Sequence, residues 1–303
     1  MQIEKEIVEV IKDVGPLTGS ELLDIIQGDK FLLWRNCMLS RDLSIQTIGT
    51  RYLRLDRRVE GFARLSPSIL REFLTYSVIG LAPDVTAVLR KVQEIRSHIE
   101  EVTRSKSGLA YEILSSAIDR FEAIGLVRKD AAIMIAGDIV YNMAHDVPRS
   151  ERSTGRLVRG SDMDIVIVVD DKFPKRLIAR LDEAVYEEKQ RILMTPHLRE
   201  EIDYIVKDMS RVREQMAFDT FKHMVACKIL QEGTLLYGSE DLFCLIKGML
   251  KDAGVTEKLA ALEERARVFR ENAIKDLLCM ETGEIREGFQ DLFYPTEESE
   301  EFE

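Results

Sequence analysis

Apolar residues recur at helical spacing through the first third of the chain. The pattern predicts helices over Glu4–Asp13, Thr18–Gln27 and Lys30–Leu39. The segment from Thr47 to Leu55 then alternates apolar and polar residues, as the strands of a short hairpin do. We therefore expect three helices and a hairpin within residues 1–80.

Three helices followed by a hairpin are typical of a winged helix, so residues 1–80 are predicted to form a winged-helix-like domain. A longer helical pattern runs from Asp84 to Thr103 with one apolar stripe along it. This stripe predicts a connecting helix within residues 81–108 that packs on a neighbouring element or on the same helix of a second copy. A homodimer through residues 84–103 is therefore a candidate assembly, and the Ser105–Gly108 segment predicts a break and a domain boundary.

The pattern in the middle of the chain changes to alternating strands and helices. Apolar runs predict strands at Ala131–Ala136, at the residues leading from Asp162 to Val169, and at Glu201–Val206. Helical spacing predicts helices at Ala110–Ile124, Ile139–Ala144 and from Pro174 to Gln190. The strand Ile165–Val169 is apolar on both faces, which predicts a sheet covered by helices on at least one side.

Helical spacing dominates the last third of the chain. It predicts helices at Val212–Gln231, Leu242–Ala253 and Thr256–Leu278, with a short extended turn at Gly233–Ser239. The strongly acidic end, Thr296–Glu303, has the composition of a disordered tail. The predicted organisation downstream of the connecting helix is a core over residues 109–240, a helical subdomain over 241–292 and an acidic tail over 293–303.

The composition is that of a folded protein in an aqueous compartment. Of the 303 residues, 45% are hydrophobic and 32% are charged, so disorder is not expected for most of the chain. No apolar stretch approaches the roughly 20 residues that span a bilayer, and the first residues form an amphipathic charged segment rather than a secretory signal. We expect a cytoplasmic protein with no membrane partner. The four cysteines are scattered, which speaks against zinc and disulfides.

Charge is distributed unevenly. The net charge of -11 argues against a surface that coats nucleic acid as a whole, yet basic residues gather in the first third. Among these we single out Arg51, Arg54, Arg57 and Arg58 as candidates for phosphate contacts, together with the third helix and the wing. DNA or RNA binding is one interpretation. The other is a winged helix that contacts proteins, with its arginines paired to acidic residues elsewhere in the chain.

Three aspartates form the candidate chemistry. Asp162 and Asp164 lie one residue apart at the start of a strand, so their side chains share a face. Asp203 lies between Ile202 and Tyr204 in the next predicted strand, where burial is costly unless the carboxylate is paired or binds a cation. Hard carboxylate oxygens favour Mg²⁺ or Mn²⁺. The simpler alternative is that Asp162 and Asp164 end a loop and cap the strand.

These residues resemble the nucleotidyltransferase superfamily that includes DNA polymerase β, the minimal nucleotidyltransferases, CCA-adding enzymes and cyclic-dinucleotide synthases. The resemblance covers Ala110 to Ser239. The family pattern is a strand, a Gly-Ser or Gly-Gly turn, a helix, an (S)D-x-D strand and a later strand with one more Asp. Ser161-Asp-Met-Asp164 and Asp203 match it, whereas the turn reads Gly137-Asp138 where the family often has Gly-Ser.

The resemblance implies an α+β fold with a polymerase β-like mixed-sheet core, an N-terminal winged helix and a C-terminal helical subdomain. It implies two Mg²⁺ (or Mn²⁺) ions held by Asp162, Asp164 and Asp203, with Asp203 also helping to activate the attacking hydroxyl. The nucleotide triphosphate would be bound by Gly137, Asp138, Ser161, Lys222 and Lys228. Both lysines lie on a predicted helix, and the alternative is that they are simply solvated.

A basic insertion separates the glycine turn from the acidic pair. It contains Arg149, Arg152, Arg156 and Arg159, which would clamp a phosphate or a polyanionic acceptor. The alternative is a solvated, mobile loop whose arginines pair transiently with neighbouring acidic residues.

The leading hypothesis is a Mg²⁺-dependent nucleotidyltransferase that moves a nucleoside monophosphate from an NTP to a hydroxyl of a nucleic acid, a protein or a nucleotide. In this hypothesis the winged helix selects the acceptor. A second hypothesis is a DNA-binding regulator whose nucleotidyltransferase domain senses a nucleotide without turning it over. A third is an interaction protein in which the acidic residues are only a feature of the fold.

Overall fold

The computed structural model describes residues 2–151, 153–280 and 287–294. These residues form a mixed α+β protein, as predicted, and its strands form several small sheets. The chain divides into two compact units. The first holds the described residues up to His98 and those from Ala260 onward, and the second is Ile99–Leu259.

The helices and strands follow one another along the chain without long gaps. The helices are α1 (Gln2–Val14), α2 (Gly19–Ile26), α3 (Lys30–Leu39), α4 (Ile69–Tyr76), α5 (Val85–Asp119), α6 (Ile124–Asp130), α7 (Lys175–Met194), α8 (Met209–Gln215), α9 (Phe221–Glu232), α10 (Glu240–Asp252), α11 (Val255–Cys279) and α12 (Glu287–Phe293). The strands are β1 (Leu17–Thr18), β2 (Leu43–Thr47), β3 (Tyr52–Leu55), β4 (Ala63–Ser66), β5 (Ser77–Leu81), β6 (Ala131–Ala136), β7 (Pro148–Ser150), β8 (Leu157–Arg159), β9 (Met163–Val169), β10 (Ile202–Asp208) and β11 (Thr234–Gly238). No helix among the residues described is both long and apolar enough to cross a membrane.

The first unit packs its helices on a three-stranded antiparallel sheet in the order β1-β5-β2. The hairpin predicted over residues 47–55 is wrong. Strand β2 pairs with β5, and β3 pairs with β4 in a separate two-stranded ribbon. Ile48 explains the difference, because it is buried and donates its backbone N–H to the carbonyl of Tyr76 instead of turning back on β2.

The core of the first unit joins both ends of its sequence. Phe31 and Trp34 of α3 stack edge to face with Phe293 of α12, with ring centroids 5.4 and 5.2 Å apart. Ala273 and Leu277 of α11 are buried in the same cluster. Residues of α11 and α12 therefore contribute to the hydrophobic core of the amino-terminal unit.

The second unit is built on a four-stranded mixed sheet in the order β10-β9-β6-β11. Strands β9 and β10 are parallel, whereas β6 runs antiparallel to both β9 and β11. The prediction of strands here is confirmed, and β6 has the predicted bounds. Because β9 is buried on both faces, helices cover it: Leu177, Leu181 and Val185 of α7 lie in its core cluster.

Three local predictions in the second unit are wrong. Helix α5 runs without a break through residues 105–108, since Lys106 is buried there and donates hydrogen bonds to Glu200 and to the carbonyl of Arg159. The helix predicted from Ile139 is only a 3₁₀ turn at Gly137–Ile139. The helix predicted over Val212–Gln231 is divided into α8 and α9, because the chain between them adopts left-handed backbone at Phe218 before Thr220 caps α9.

Candidate active site

The sheet of the second unit brings the three predicted aspartates to the same end of strands β9 and β10. This end of the sheet is called the acidic edge below. In the register of the sheet, Asp164 lies between Ala136 on β6 and Asp203 on β10. Side chains at paired positions of adjacent strands project from the same face, so Asp164 and Asp203 lie on one face of the sheet. Asp162 precedes β9 by one residue and shares that face.

The glycine turn packs directly on this edge. Gly137 follows β6 with a φ of +68°, in the left-handed region that favours glycine. A Cβ added to Gly137 would lie only 1.9 Å from Asp164 Oδ2. Glycine is therefore what lets the backbone of the turn approach the carboxylate of Asp164.

Asp138 and Ser161, both predicted to bind nucleotide, contact each other. Ser161 Oγ donates a hydrogen bond to Asp138 Oδ2 at 2.6 Å and accepts one from the backbone N–H of His145 at 3.2 Å. Ser161 itself is buried. Asp138 of the glycine turn is thus tied to the segment that carries the acidic pair.

Two basic side chains lie against the acidic edge. Arg149 Nη1 is 2.8 Å from Glu201 Oε2 and Arg149 Nη2 is 3.6 Å from Asp162 Oδ2, while its Nε donates to the carbonyl of Gly160 at 2.7 Å. Lys189 Nζ of α7 donates to Asp203 Oδ1 at 2.9 Å. These contacts neutralise part of the negative charge of the edge.

Glu201 is a fourth acidic residue of the site that the sequence reasoning missed. Its side chain is only 7% exposed. Burial raises the pKa of Glu201 to about 7, Arg149 opposes this rise, and the charges of Asp162 and Asp203 add to it. The signal was present, because Glu201 precedes Asp203 by two residues and so lies on the same side of the strand.

The residue types at the edge suit a hard divalent cation, since all the donors are carboxylate oxygens. As the side chains stand, however, no group of three or more His, Cys, Asp or Glu within the part of the chain that the structure describes is close enough together to hold an ion. The register places the backbones of Asp164 and Asp203 side by side. The side chain of Asp162 contacts Arg149, and the side chain of Asp203 contacts Lys189.

The two predicted lysines have different surroundings. Lys228 is buried in α9 and its Nζ lies 2.9 Å from Glu232 Oε1. Glu232 also accepts hydrogen bonds from the backbone N–H of Gly137 at 3.2 Å and from the hydroxyl of Tyr141 at 2.7 Å. Lys228 therefore reaches the glycine turn through Glu232, another residue that the sequence reasoning missed. Lys222 is exposed in the first turn of α9.

Over the residues described, the basic insertion forms a two-stranded ribbon. Strands β7 and β8 pair antiparallel, with Arg149 on β7 and Arg159 on β8. Glu151 closes the turn between them, and although burial raises its pKa, hydrogen bonds from Ser153 and Thr154 lower it to about 2. Arg156 is exposed in this turn, and Arg152 lies outside the described residues.

The four arginines singled out in the first unit lie in and around β3. Arg51 is paired through Nε and Nη2 with the carboxylate of Glu72, at 2.5 and 2.8 Å. Arg58 Nε lies 3.2 Å from Asp56 Oδ1 and 4.0 Å from Asp291 Oδ1. Arg54 belongs to β3 itself, and Arg57 is exposed in the turn that follows.

Comparisons with known proteins assign no family to the chain. No protein-family model matches it, and no curated protein does. Among solved structures it is similar to one described as the crystal structure of the toxin-antitoxin with AMP-PNP, at 15% sequence identity and a TM-score of 0.25. The match covers 56% of this chain and 98% of that one. A likeness this distant carries no argument about function.

Proposed function

We propose that this protein is a metal-dependent nucleotidyltransferase that transfers a nucleoside monophosphate from an NTP to a hydroxyl of a nucleic acid, a protein or a nucleotide. The observation that carries the proposal is the register of the sheet, which pairs Asp164 with Asp203 beside the glycine turn. In this proposal residues 109–240 form a polymerase β-like nucleotidyltransferase core.

In the proposed reaction Asp162, Asp164 and Asp203 would hold two Mg²⁺ or Mn²⁺ ions. Such ions would neutralise charge on the triphosphate and polarise the reacting oxygens. The acceptor oxygen bonds to the α-phosphorus of the NTP, the bond from that phosphorus to the β-phosphate bridging oxygen breaks, and pyrophosphate leaves. Asp203 takes the proton of the attacking hydroxyl at a carboxylate oxygen.

The remaining proposed nucleotide contacts come from the turn and from α9. Gly137 admits the phosphates close to Asp164 because it has no side chain, and Ser161 holds Asp138 away from them through their hydrogen bond. Lys222 and Lys228 contribute positive charge from α9. In this scheme Lys228 acts partly through Glu232, which fixes the backbone of Gly137.

The test is incubation of the purified protein with each α-labelled NTP and Mg²⁺ or Mn²⁺, with and without cell extract. Pyrophosphate release and the destination of the label are followed. We expect Asp162→Asn and Asp164→Asn to reduce turnover by at least about 100-fold, because each removes charge stabilisation at the reacting centre. The matched control is Asp171→Asn, at the far end of β9, where the carboxylate is exposed and paired with Arg213. Full turnover in the Asp162 and Asp164 variants, with their circular dichroism unchanged, would refute the proposal.

A regulator that binds a nucleotide without turnover is the second candidate. It is favoured by the engagement of Asp162 and Asp203 with basic side chains and by the aspartate in the glycine turn. Nucleotide binding without pyrophosphate release, with either metal and with every extract, would select it.

The amino-terminal unit is proposed to be a winged helix that selects the partner. The helices α1, α2 and α3 and the sheet order β1-β5-β2 support this proposal. Duplex binding that weakens steeply as salt is raised would indicate a nucleic-acid partner. Absence of such binding would leave protein contact as the role of this unit.

A further inference from the structure

Two exposed arginines lie side by side next to the acidic edge. Arg159 is the last residue of β8 and Arg199 precedes β10, and the backbone N–H of Arg159 donates to the carbonyl of Arg199 at 2.9 Å. Hydrogen-bonded neighbouring backbones lie about 4.8 Å apart, so the two side chains begin next to each other. Asp162 follows Arg159 after two intervening residues, and Asp203 follows Arg199 after three. The arginine pair therefore stands directly before both strands of the acidic edge.

The backbone that carries this pair is held by other basic residues. Lys106 Nζ donates to the carbonyl of Arg159 at 2.6 Å, and Arg149 Nε donates to the carbonyl of Gly160 at 2.7 Å. Arg199 has a φ of +51°, in the left-handed region that a long side chain rarely adopts. Asparagine or glycine would adopt this backbone with less strain, so an arginine here costs stability. The fold thus fixes where both side chains begin and leaves them exposed to solvent.

The charges of the pair have no internal partner. Within the part of the chain that the structure describes, neither Arg159 nor Arg199 makes an ion pair. The two carboxylates that lead into β10 have other partners, since Glu200 is paired with Lys106 and Glu201 with Arg149. Guanidinium groups bind phosphate oxygens through paired hydrogen bonds. Two neighbouring, exposed guanidinium groups therefore fit a ligand that carries at least two phosphates.

The arginine pair and the proposed nucleotide contacts lie on opposite sides of β9. In the sheet order β10-β9-β6-β11, Arg199 leads into β10, whereas Gly137 follows β6 and donates its backbone N–H to Glu232 of α9. In an in-line displacement the attacking and leaving oxygens lie on opposite sides of the phosphorus. An NTP held on the β6 side therefore receives its acceptor from the β10 side, where the arginines are.

We infer that Arg159 and Arg199 bind the phosphates next to the terminal hydroxyl of a nucleic-acid strand, so that nucleic acid is the acceptor of the proposed reaction. The inference rests on the proposed function, which leaves the acceptor open among a nucleic acid, a protein and a nucleotide. A terminal hydroxyl of a strand lies only a few bonds from the last phosphates, whereas the hydroxyl of a protein side chain brings no phosphates with it. Because the net charge of -11 repels a polyanion, binding depends on this local pair and weakens as salt is raised.

The test is a fluorescence anisotropy titration of end-labelled single-stranded RNA and DNA of about 12 nucleotides, without NTP or metal. Salt is varied from about 50 to 200 mM. The site variant combines Arg159→Gln with Arg199→Asn, because asparagine tolerates left-handed backbone. The matched control combines Lys175→Gln with Arg176→Gln, which removes the same charge at two exposed positions at the start of α7, beyond the other end of β9.

The site variant is expected to bind the strand at least about tenfold more weakly at the lowest salt, since two phosphate contacts are lost. The slope of the logarithm of the binding constant against the logarithm of the salt concentration is expected to fall in magnitude by about 1.4, or about 0.7 for each phosphate. The control is expected to bind as the unaltered protein does. Circular dichroism melts are expected to show the site variant at least as stable as the unaltered protein, because Arg199→Asn relieves backbone strain.

Three results of the titration would overturn the inference. The first is that the unaltered protein binds neither strand at the lowest salt. The second is equal weakening in the site variant and the control, since net charge alone would then explain the effect. The third is unchanged binding by the site variant, because the strand would then bind elsewhere on the chain.

The labelled-NTP assay judges the proposed function separately. Transfer of the label only to a protein or to a small product would keep the reaction and overturn the inference. Binding of a strand through both arginines, with no pyrophosphate release from any NTP, would support the phosphate-binding surface and refute the reaction.

Discussion

Gly137 sets the distance between the turn after β6 and the carboxylate of Asp164. Its φ is +68°, and a Cβ would lie 1.9 Å from Asp164 Oδ2, so an added methyl group has to displace the carboxylate or the turn. We expect Gly137→Ala to lower the free energy of unfolding by about 1–3 kcal/mol. We also expect it to reduce NTP turnover, since the displaced carboxylate is one of the proposed metal ligands. Urea denaturation and the labelled-NTP assay measure the two effects.

Gly125→Ala is the matched control for this prediction. Gly125 lies in α6, and a Cβ there would meet nothing within 4 Å. Alanine at this helical position is expected to stabilise the protein by up to about 1 kcal/mol and to leave turnover unchanged. If Gly137→Ala behaved in the same way, the close packing of the turn on Asp164 would have no consequence for the site.

The individual residues of the site were predictable where local pattern decides their placement. Asp162, Asp164 and Asp203 stand at strand positions that the apolar runs mark, and the structure brings them to one edge. Lys189 was missed as a partner of Asp203 because nothing local relates α7 to the start of β10. Its contact arises only when the helix packs on the sheet.

At the scale of elements, helix α5 shows tertiary contacts overriding local propensity. Serine and glycine at residues 105–108 cost a helix about 1 kcal/mol or less each, and on that ground a break was predicted. The structure continues the helix because Lys106 is paired with Glu200 in a buried setting, with side chains 4% and 10% exposed. Ala110 and Leu114, one and two turns further on, are fully buried.

Removing Lys106 tests this account. Lys106→Ala leaves Glu200 buried without its cation, so we expect the free energy of unfolding to fall by about 3 kcal/mol. Burial already raises the pKa of Glu200, and protonation of its carboxylate limits the loss. The comparison is Lys12→Ala, which breaks an exposed pair with Glu9 and is expected to cost far less, because water and salt screen an exposed pair. Equal losses in urea denaturation would show that the buried pair does not hold the helix.

Strand pairing in the first unit could not be predicted from the local sequence pattern. Alternation over Thr47–Leu55 marked β3 but only the last residue of β2, and it does not say which strand lies beside which. The partner of β2 is β5, which comes after a ribbon and a helix, with Leu43 opposite Leu81 and Thr47 opposite Ser77. Two successive strands form a hairpin only when the residues between them turn back. Here the buried Ile48 donates its backbone N–H to the carbonyl of Tyr76, the last residue of α4, so the chain after β2 does not turn back.

At the scale of the whole molecule, the assignment of the chain's end to the amino-terminal unit is the feature least accessible from sequence. The apolar stripe of α11 looks the same whichever core it covers. Only the folded chain shows that Ala273 and Leu277 pack with Phe31 of α3, and that α12 adds Leu292 and Phe293 to the same core.

Phe293 provides the sharpest test of that assignment. It is fully buried against Trp34, the only tryptophan of the chain, so intrinsic fluorescence reports on this core. Phe293→Ala is expected to lower the free energy of unfolding of the first unit by about 3–5 kcal/mol through the lost transfer energy and the cavity, and to shift the Trp34 transition to lower urea concentration. Phe62→Ala, at a side chain 40% exposed in the same unit, should shift it far less. If the amino-terminal domain were independent of α12, truncating Phe293 would leave it undisturbed. A Trp34 transition at the same urea concentration in Phe293→Ala as in the unaltered protein would therefore contradict the assignment of α12 to this core.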